Sequence, residues 1–233
     1  MADTLLPRDP NQHGVVTLTL TGPEHCGVLG AARAGELTEM LLATGRDPDV
    51  EALLITGVGD VFATGRDDLP EVRRLVETLR DHPLPTFAAV QRACIGAGLA
   101  VALACQRRFI AENAVLCPSP GSQLHGVTGT LLTEAVGPDV ARRLLGLGAL
   151  EPDELVRWGI PATLVPDSHL LAAARDAARH AVTVRPGAPV SFLTAATSSV
   201  PLRGVRSRRG VDAPVNLRSA PAPGRSSSSE GRR

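Results

Sequence analysis

The chain of 233 residues contains no lysine and no tyrosine, and its aromatic residues are four phenylalanines and one tryptophan. So few aromatic rings argue against the stacking platforms that hold nucleic-acid bases, and we expect no nucleic-acid partner. No apolar run reaches the length of a membrane-spanning helix, and no secretory leader pattern opens the chain. We therefore expect a cytoplasmic protein without a membrane partner.

Patterns for disulfides and for metal ligands are also lacking. The four cysteines form no C-x-x-C pair and no metal-ligand spacing, which predicts reduced thiols and no metal site; they are Cys26, Cys94, Cys105 and Cys117. Cys117 falls in a predicted loop, where a thiol is able to react. The commoner role for such a cysteine is that of a small core residue.

The formal net charge is zero, but the charges are unevenly placed along the chain. Residues 201–233 hold eight arginines against Asp212 and Glu230 and are rich in Pro, Ser and Gly. This composition predicts a disordered tail, and the polar residues 1–13 predict a frayed N-terminus. Residues 14–200 remain as one folded domain.

Short β-branched or apolar runs alternate with stretches of helical periodicity. Such alternation predicts an α/β fold with a largely parallel sheet. The residues 57–69 and 113–130 are predicted mostly as loops, and Asp167 or Ser168 is expected to cap the last helix. We predict strands at 15–20, 52–56, 86–90, 108–111 and 162–165, and helices at 31–43, 72–79, 99–105, 131–136, 139–147, 151–158 and 168–182.

The centre of the chain is the stretch from Pro85 to Gln106, which joins a strand to the turn Gly96-Ala97-Gly98 and then to an apolar helix. Free N–H groups of the first helical turn would face whatever lies above them. A carbonyl oxygen that gains negative charge would be stabilised there. For this segment alone, a tight strand-to-helix connection without any ligand is the favoured interpretation, since isolated glycine motifs are weak signals.

Four blocks, in their order and spacing, resemble the crotonase superfamily, the enoyl-CoA hydratase/isomerase family. They are DPDVEALLITGVGDVFATGRDDL at 47–69, LPTFAAVQRACIGAGLAVALACQ at 84–106, NAVL at 113–116 and the segment 136–166. The resemblance implies a crotonase-like ββα spiral core with C-terminal helices, assembled as a homotrimer or hexamer. It also implies an acyl-CoA thioester as ligand, with coenzyme A present as part of the substrate and no separate cofactor.

In the family, two backbone N–H groups polarise the thioester carbonyl. By position these are the N–H of Arg66 and the N–H of Ala97, and the resemblance implies that they stabilise an enolate oxygen. Adenine and pantetheine would contact the first loop around Phe62 and Ala63. The further substrate-binding residues that the resemblance implies are Gly65, Gly96 and Gly98.

The chain departs from the family at both glutamates that move protons in hydratases. One is replaced by Ala100, and the loop that should hold the other reads Cys117-Pro118-Ser119-Pro120-Gly121. Ordinary two-glutamate hydration is therefore not expected. The remaining candidates for proton transfer are His125, the carboxylates Asp67 and Asp68, of which Asp67 matches a structural aspartate of the family, and, weakest, Cys117.

Three functions stay open at this point. The first is a crotonase-type lyase or isomerase that stabilises an enolate through Arg66 N–H and Ala97 N–H, with His125 or Asp68 moving the proton. The second is a catalytically inactive helper subunit of a partner enzyme, in secondary metabolism. The third is a remnant without a stable active site. The missing glutamates favour the second, and the retained glycines favour the first.

Overall fold

A computed structural model describes residues 14–20, 27–119 and 124–183. All of these residues belong to one compact unit, Met1–Ala188. The predicted frayed N-terminus, the predicted disordered tail and Cys26 lie outside the described residues.

The described chain alternates strands and helices throughout. Its strands are β1 Val15–Thr19, β2 Ala52–Thr56, β3 Val61–Ala63, β4 Thr86–Val90, β5 Ala93–Ile95, β6 Arg107–Ala111, β7 Val115–Cys117 and β8 Thr163–Val165. Its helices are α1 Ala31–Thr44, α2 Pro70–Arg80, α3 Ala97–Ala104, α4 Val127–Val136, α5 Pro138–Gly146, α6 Pro152–Arg157 and α7 Leu170–Thr183, the last preceded by a 3₁₀ turn, Asp167–His169.

The larger sheet has five strands in the order β1-β2-β4-β6-β8, and every neighbouring pair is parallel. Every residue of β2 and β4 is buried, which explains why both read as continuous apolar runs rather than alternating ones. Helix α7 packs against β2, β4 and β6. The prediction of an α/β fold with a parallel sheet is confirmed.

A second sheet, with the order β3-β5-β7, is also parallel. Each of its strands has three residues and directly follows a strand of the larger sheet, so that strand, short strand and helix repeat three times. This is the ββα spiral that the resemblance implied. Sequence periodicity missed β3 and β7 within the predicted loops, because three residues are too few to show alternation.

Helix α3 is buried along its whole length, as predicted for this apolar stretch. It contacts α2, α4 and the short strands β3 and β5. The prediction that Asp167 or Ser168 caps the last helix is wrong. The 3₁₀ turn begins after Pro166 without a side-chain cap, and α7 starts only at Leu170.

The guanidinium of Arg108 closes the C-terminal end of α3. Its Nε donates to Ala102 O at 3.0 Å, and its Nη2 donates to Leu103 O at 3.2 Å and Cys105 O at 3.0 Å. Its Nη1 donates to Pro161 O at 3.0 Å. Since the last carbonyls of a helix lack partners within the helix, one cation satisfies three of them and joins α3 to the segment before β8.

Replacing Arg108 with leucine should lower the free energy of unfolding by about 3 kcal/mol, because half-buried carbonyls at the end of α3 would lose their donors. Urea denaturation measures the change. The control is Arg142→Leu, which removes an exposed i,i+3 pair with Asp139 and should cost less than about 1 kcal/mol. Equal losses in the two variants would contradict a capping role for Arg108.

His82 is buried in its neutral form between α1 and the start of β4. Its Nδ1 accepts the N–H of Leu84 at 3.2 Å, and its Nε2 lies 3.0 Å from Leu41 O. These partners fit a ring that carries its proton on Nε2. Burial lowers the pKa of His82 below its ordinary value of 6.5, because desolvation disfavours the charged form.

Acid should therefore destabilise the fold through His82. As the pH falls, the His82 ring takes up a proton in the unfolded chain before it does so in the folded chain. The contribution of neutral His82 to the free energy of unfolding is therefore complete above pH 6.5 and is lost as the pH falls toward the folded-state pKa. Thermal melts between pH 7 and pH 5 should show a smaller loss of Tm for His82→Gln than for the wild type. An unchanged pH dependence in His82→Gln would contradict this assignment; exposed His169→Gln serves as the control.

Candidate functional site

Two loops meet at the N-terminal end of α3. The first, residues 57–69, contains β3 and then Gly65, and the second is the turn from Gly96 to Gly98. Ala97 is the first residue of α3, and its N–H donates a hydrogen bond to Gly65 O at 2.9 Å. The two loops are thus joined by a backbone hydrogen bond at the place where the sequence predicts a carbonyl site.

The glycines of the second loop are required by the closeness of the first. A Cβ on Gly98 would lie 2.2 Å from Ala63 O, and a Cβ on Gly96 would lie 2.0 Å from Gly65 O. Gly96 also has a φ of 57°, and Gly65 has a φ of 145°, conformations that favour glycine. Packing alone therefore explains why glycine occupies these positions, and their presence does not by itself indicate catalysis.

The hydrogen bond also fixes the direction of the Arg66 amide. No described peptide bond is cis, and in a trans peptide the C=O and N–H groups point in opposite directions. Because Gly65 O faces Ala97 N–H, the N–H of Arg66 points away from it. The two amides do not converge in this state, and their convergence on a ligand oxygen requires the Gly65–Arg66 peptide to rotate.

Ser119 is a third polar group at the same junction. Its Oγ donates to Gly65 O at 3.3 Å, so this carbonyl accepts from both Ser119 and Ala97. Ser119 lies in the loop where the resemblance implied the second glutamate, and from the sequence only the missing carboxylate was apparent. The signal that would have singled it out was its position, because a serine at that place can still donate a hydrogen bond.

Asp67 connects the first loop to α4. It is 4% exposed, and its carboxylate accepts a hydrogen bond from the hydroxyl of Thr128 in the first turn of α4. A carboxylate near a helix N-terminus is favoured by the helix dipole. The contact supports the structural role that the resemblance implied for Asp67, and it ties the start of α4 to the loop that bears Gly65 and Arg66.

Asp68 faces solvent rather than the junction. Its carboxylate is bound by the Arg66 guanidinium, with Nε donating at 2.9 Å and Nη2 at 2.5 Å, and both side chains are exposed. The hydrogen bonds from Arg66 lower the pKa of Asp68. A carboxylate with a lowered pKa is a weaker base, which argues against Asp68 as the proton-transfer group.

His125 lies two residues before the start of α4. It is exposed and stands just before Gly126, the residue that precedes α4. The bond between Thr128 and Asp67 holds this part of the chain beside the first loop. Three residues span at most about 11 Å, so His125 cannot lie far from that loop.

The two predicted substrate-binding residues of the first loop, and the alanine in place of the first glutamate, have buried side chains. The side chains of Phe62, Ala63 and Ala100 are each 0% exposed, so a ligand could reach the first two only at their backbone. Cys117 Sγ donates to Pro118 O at 3.2 Å, and burial raises its pKa. That shift opposes thiolate formation, which argues against Cys117 as a reactive thiol and as a proton-transfer group.

The described helices include none that is long and apolar enough to cross a membrane. A groove of about 420 Å³ lies between α1 and α2 and includes Leu41, Arg74 and His82 in its lining. None of its lining residues belongs to the two loops, so it is not part of the junction.

Two parallel sheets with three ββα repeats, and two loops meeting at a buried helix, define a crotonase fold. The profile of the family described as enoyl-CoA hydratase/isomerase matches residues 10–200. The chain therefore belongs to the enoyl-CoA hydratase/isomerase family, and the resemblance inferred from the sequence is confirmed.

Relatives of this chain carry several activities in their names. This chain is 31% identical over 190 residues to the (E)-benzylidenesuccinyl-CoA hydratase of Thauera aromatica, and the alignment covers 74% of each chain. It is 31% identical over 198 residues to the 1,2-epoxyphenylacetyl-CoA isomerase of Escherichia coli, again 74% of each. A crystal structure of a monofunctional enoyl CoA isomerase from M. smegmatis superposes with a TM-score of 0.65 at 30% identity, covering 74% of this chain and 82% of that one.

Exchanging two helical glycines for alanine should separate the effect of the close contact between the two loops on stability from the effect of helix propensity. Gly98→Ala should destabilise the protein by about 3 kcal/mol, because the new methyl group would overlap Ala63 O. Gly35→Ala in α1, where a Cβ meets nothing within 4 Å, should instead stabilise by about 1 kcal/mol. Urea denaturation measures both, and a neutral Gly98→Ala would show that the loops do not interlock.

Proposed function

We propose that this protein binds an acyl-CoA thioester at the loop junction and stabilises its enolate through the N–H groups of Arg66 and Ala97. The observation that supports this most is that Ala97 N–H already donates to a carbonyl oxygen, that of Gly65. The partial positive charge at the start of α3 favours an oxygen that gains negative charge. Losing one such donor typically costs about 3 kcal/mol of transition-state stabilisation.

Binding would begin with rotation of the Gly65–Arg66 peptide. The rotation takes Gly65 O away from Ala97 and brings Arg66 N–H toward it, because the two groups lie on opposite sides of one peptide plane. Gly65 has no side chain to resist the movement. The thioester oxygen then takes the position that Gly65 O leaves.

We infer that the reaction is an isomerisation or another single-proton reaction of the enolate rather than hydration. Hydration needs an activated water and a proton for the neighbouring carbon, and the methyl group of Ala100 can supply neither. His125, held near the first loop through the Asp67–Thr128 bond, is the proposed proton-transfer group. Asp68 is disfavoured by its pairing with Arg66, which lowers the pKa of its carboxyl.

The second candidate is a helper subunit that binds acyl-CoA without turning it over. The observation that favours it is that Ala100 and the segment Cys117-Pro118-Ser119-Pro120-Gly121 supply no carboxylate for proton transfer. In such a protein the thioester would be held for a partner enzyme. The isolated chain would then catalyse no reaction, with or without His125.

Calorimetric binding of butyryl-CoA, together with turnover of crotonyl-CoA and of a 3-enoyl-CoA, separates these functions. We expect binding, no hydration of crotonyl-CoA, and isomerisation that His125→Ala lowers by about 100-fold while Asp68→Ala changes it little. Binding without any turnover supports the helper. Absence of butyryl-CoA binding would overturn the acyl-CoA assignment, and equal loss in both variants would overturn the role of His125.

A further inference from the structure

Gly65 O is the acceptor for two donors that come from separate parts of the chain. Ala97 N–H reaches it from the start of α3 at 2.9 Å, and the Ser119 hydroxyl reaches it from the end of β7 at 3.3 Å. Two donors that converge on one carbonyl oxygen form the arrangement that polarises a carbonyl. In this structure the protein's own peptide fills the position between them.

The backbone around Ser119 keeps its hydroxyl close to the glycine turn. Gly96 N–H donates to Cys117 O at 2.8 Å, which joins the end of β7 to the residue before α3. A Cβ on Gly96 would lie 2.2 Å from Ser119 Oγ. The hydroxyl therefore approaches the turn as closely as the absence of that side chain allows.

Resting on the proposed function above, we propose that Ser119 is a substrate-binding residue whose hydroxyl donates a hydrogen bond to the thioester oxygen beside Ala97 N–H. When the Gly65–Arg66 peptide rotates, its carbonyl releases both donors together. The thioester oxygen accepts them in its place, with Arg66 N–H as a third donor. A serine hydroxyl is both donor and acceptor, but here its described partner is a carbonyl rather than a base, so it binds and polarises and does not move a proton.

The test compares Ser119→Ala with the wild type using butyryl-CoA carrying carbon-13 at the thioester carbonyl. Calorimetry should show about tenfold weaker binding of butyryl-CoA by Ser119→Ala, the loss of one hydrogen bond. Affinity for coenzyme A itself should not change, since it has no thioester oxygen. The labelled carbonyl band in the infrared should lie at lower frequency in the wild-type complex than in water, and should move back toward the water value in Ser119→Ala.

The matched control is Ser168→Ala, which removes an exposed hydroxyl from the 3₁₀ turn and should change neither affinity nor frequency. Equal weakening of butyryl-CoA and coenzyme A in Ser119→Ala would mean a structural role and overturn the proposal, as would an unchanged affinity and carbonyl band. If the wild type binds no acyl-CoA, the proposed function fails and this inference fails with it. Should Ser119→Ala lose its circular-dichroism signature, Ser119→Cys, a weaker donor, gives the same comparison.

Discussion

The hydrogen bond from Ala97 N–H to Gly65 O is the contact on which the site depends. It joins the loop after β3 to the first residue of the buried helix α3 at 2.9 Å. Backbone groups make this contact, so it requires no particular side chain at position 97, whereas the φ of 145° favours glycine at position 65. The same contact keeps the junction closed, because the peptide that accepts the bond carries the second predicted donor on its far side.

Three sets of contacts surround this junction. Glycines at positions 96 and 98 let the first loop approach within distances that no Cβ would permit. Asp67 ties that loop to α4 through Thr128, and Arg108 satisfies the carbonyls at the other end of α3. The Gly65–Arg66 peptide lies between the helix and this loop, and the φ of 145° at Gly65 is a conformation that favours glycine.

The sequence predicted the buried elements well and the site only in part. The runs of β2 and β4 and the apolar α3 are long enough and uniform enough to be recognised without a structure. The strands β3, β5 and β7 are not, since three residues show no period. The direction in which Gly65 O points could not be predicted from the sequence either, because the orientation of one peptide plane depends on its neighbours in space. Ser119 was visible as a letter, but only the fold brings its hydroxyl to Gly65 O.

The most direct measurement is a crystal structure of the protein with butyryl-CoA bound. The account predicts that the thioester oxygen lies within about 3 Å of Ala97 N, with Gly65 O turned away and Arg66 N–H facing the ligand. A complex in which Ala97 N–H still donates to Gly65 O while the thioester lies elsewhere would contradict it.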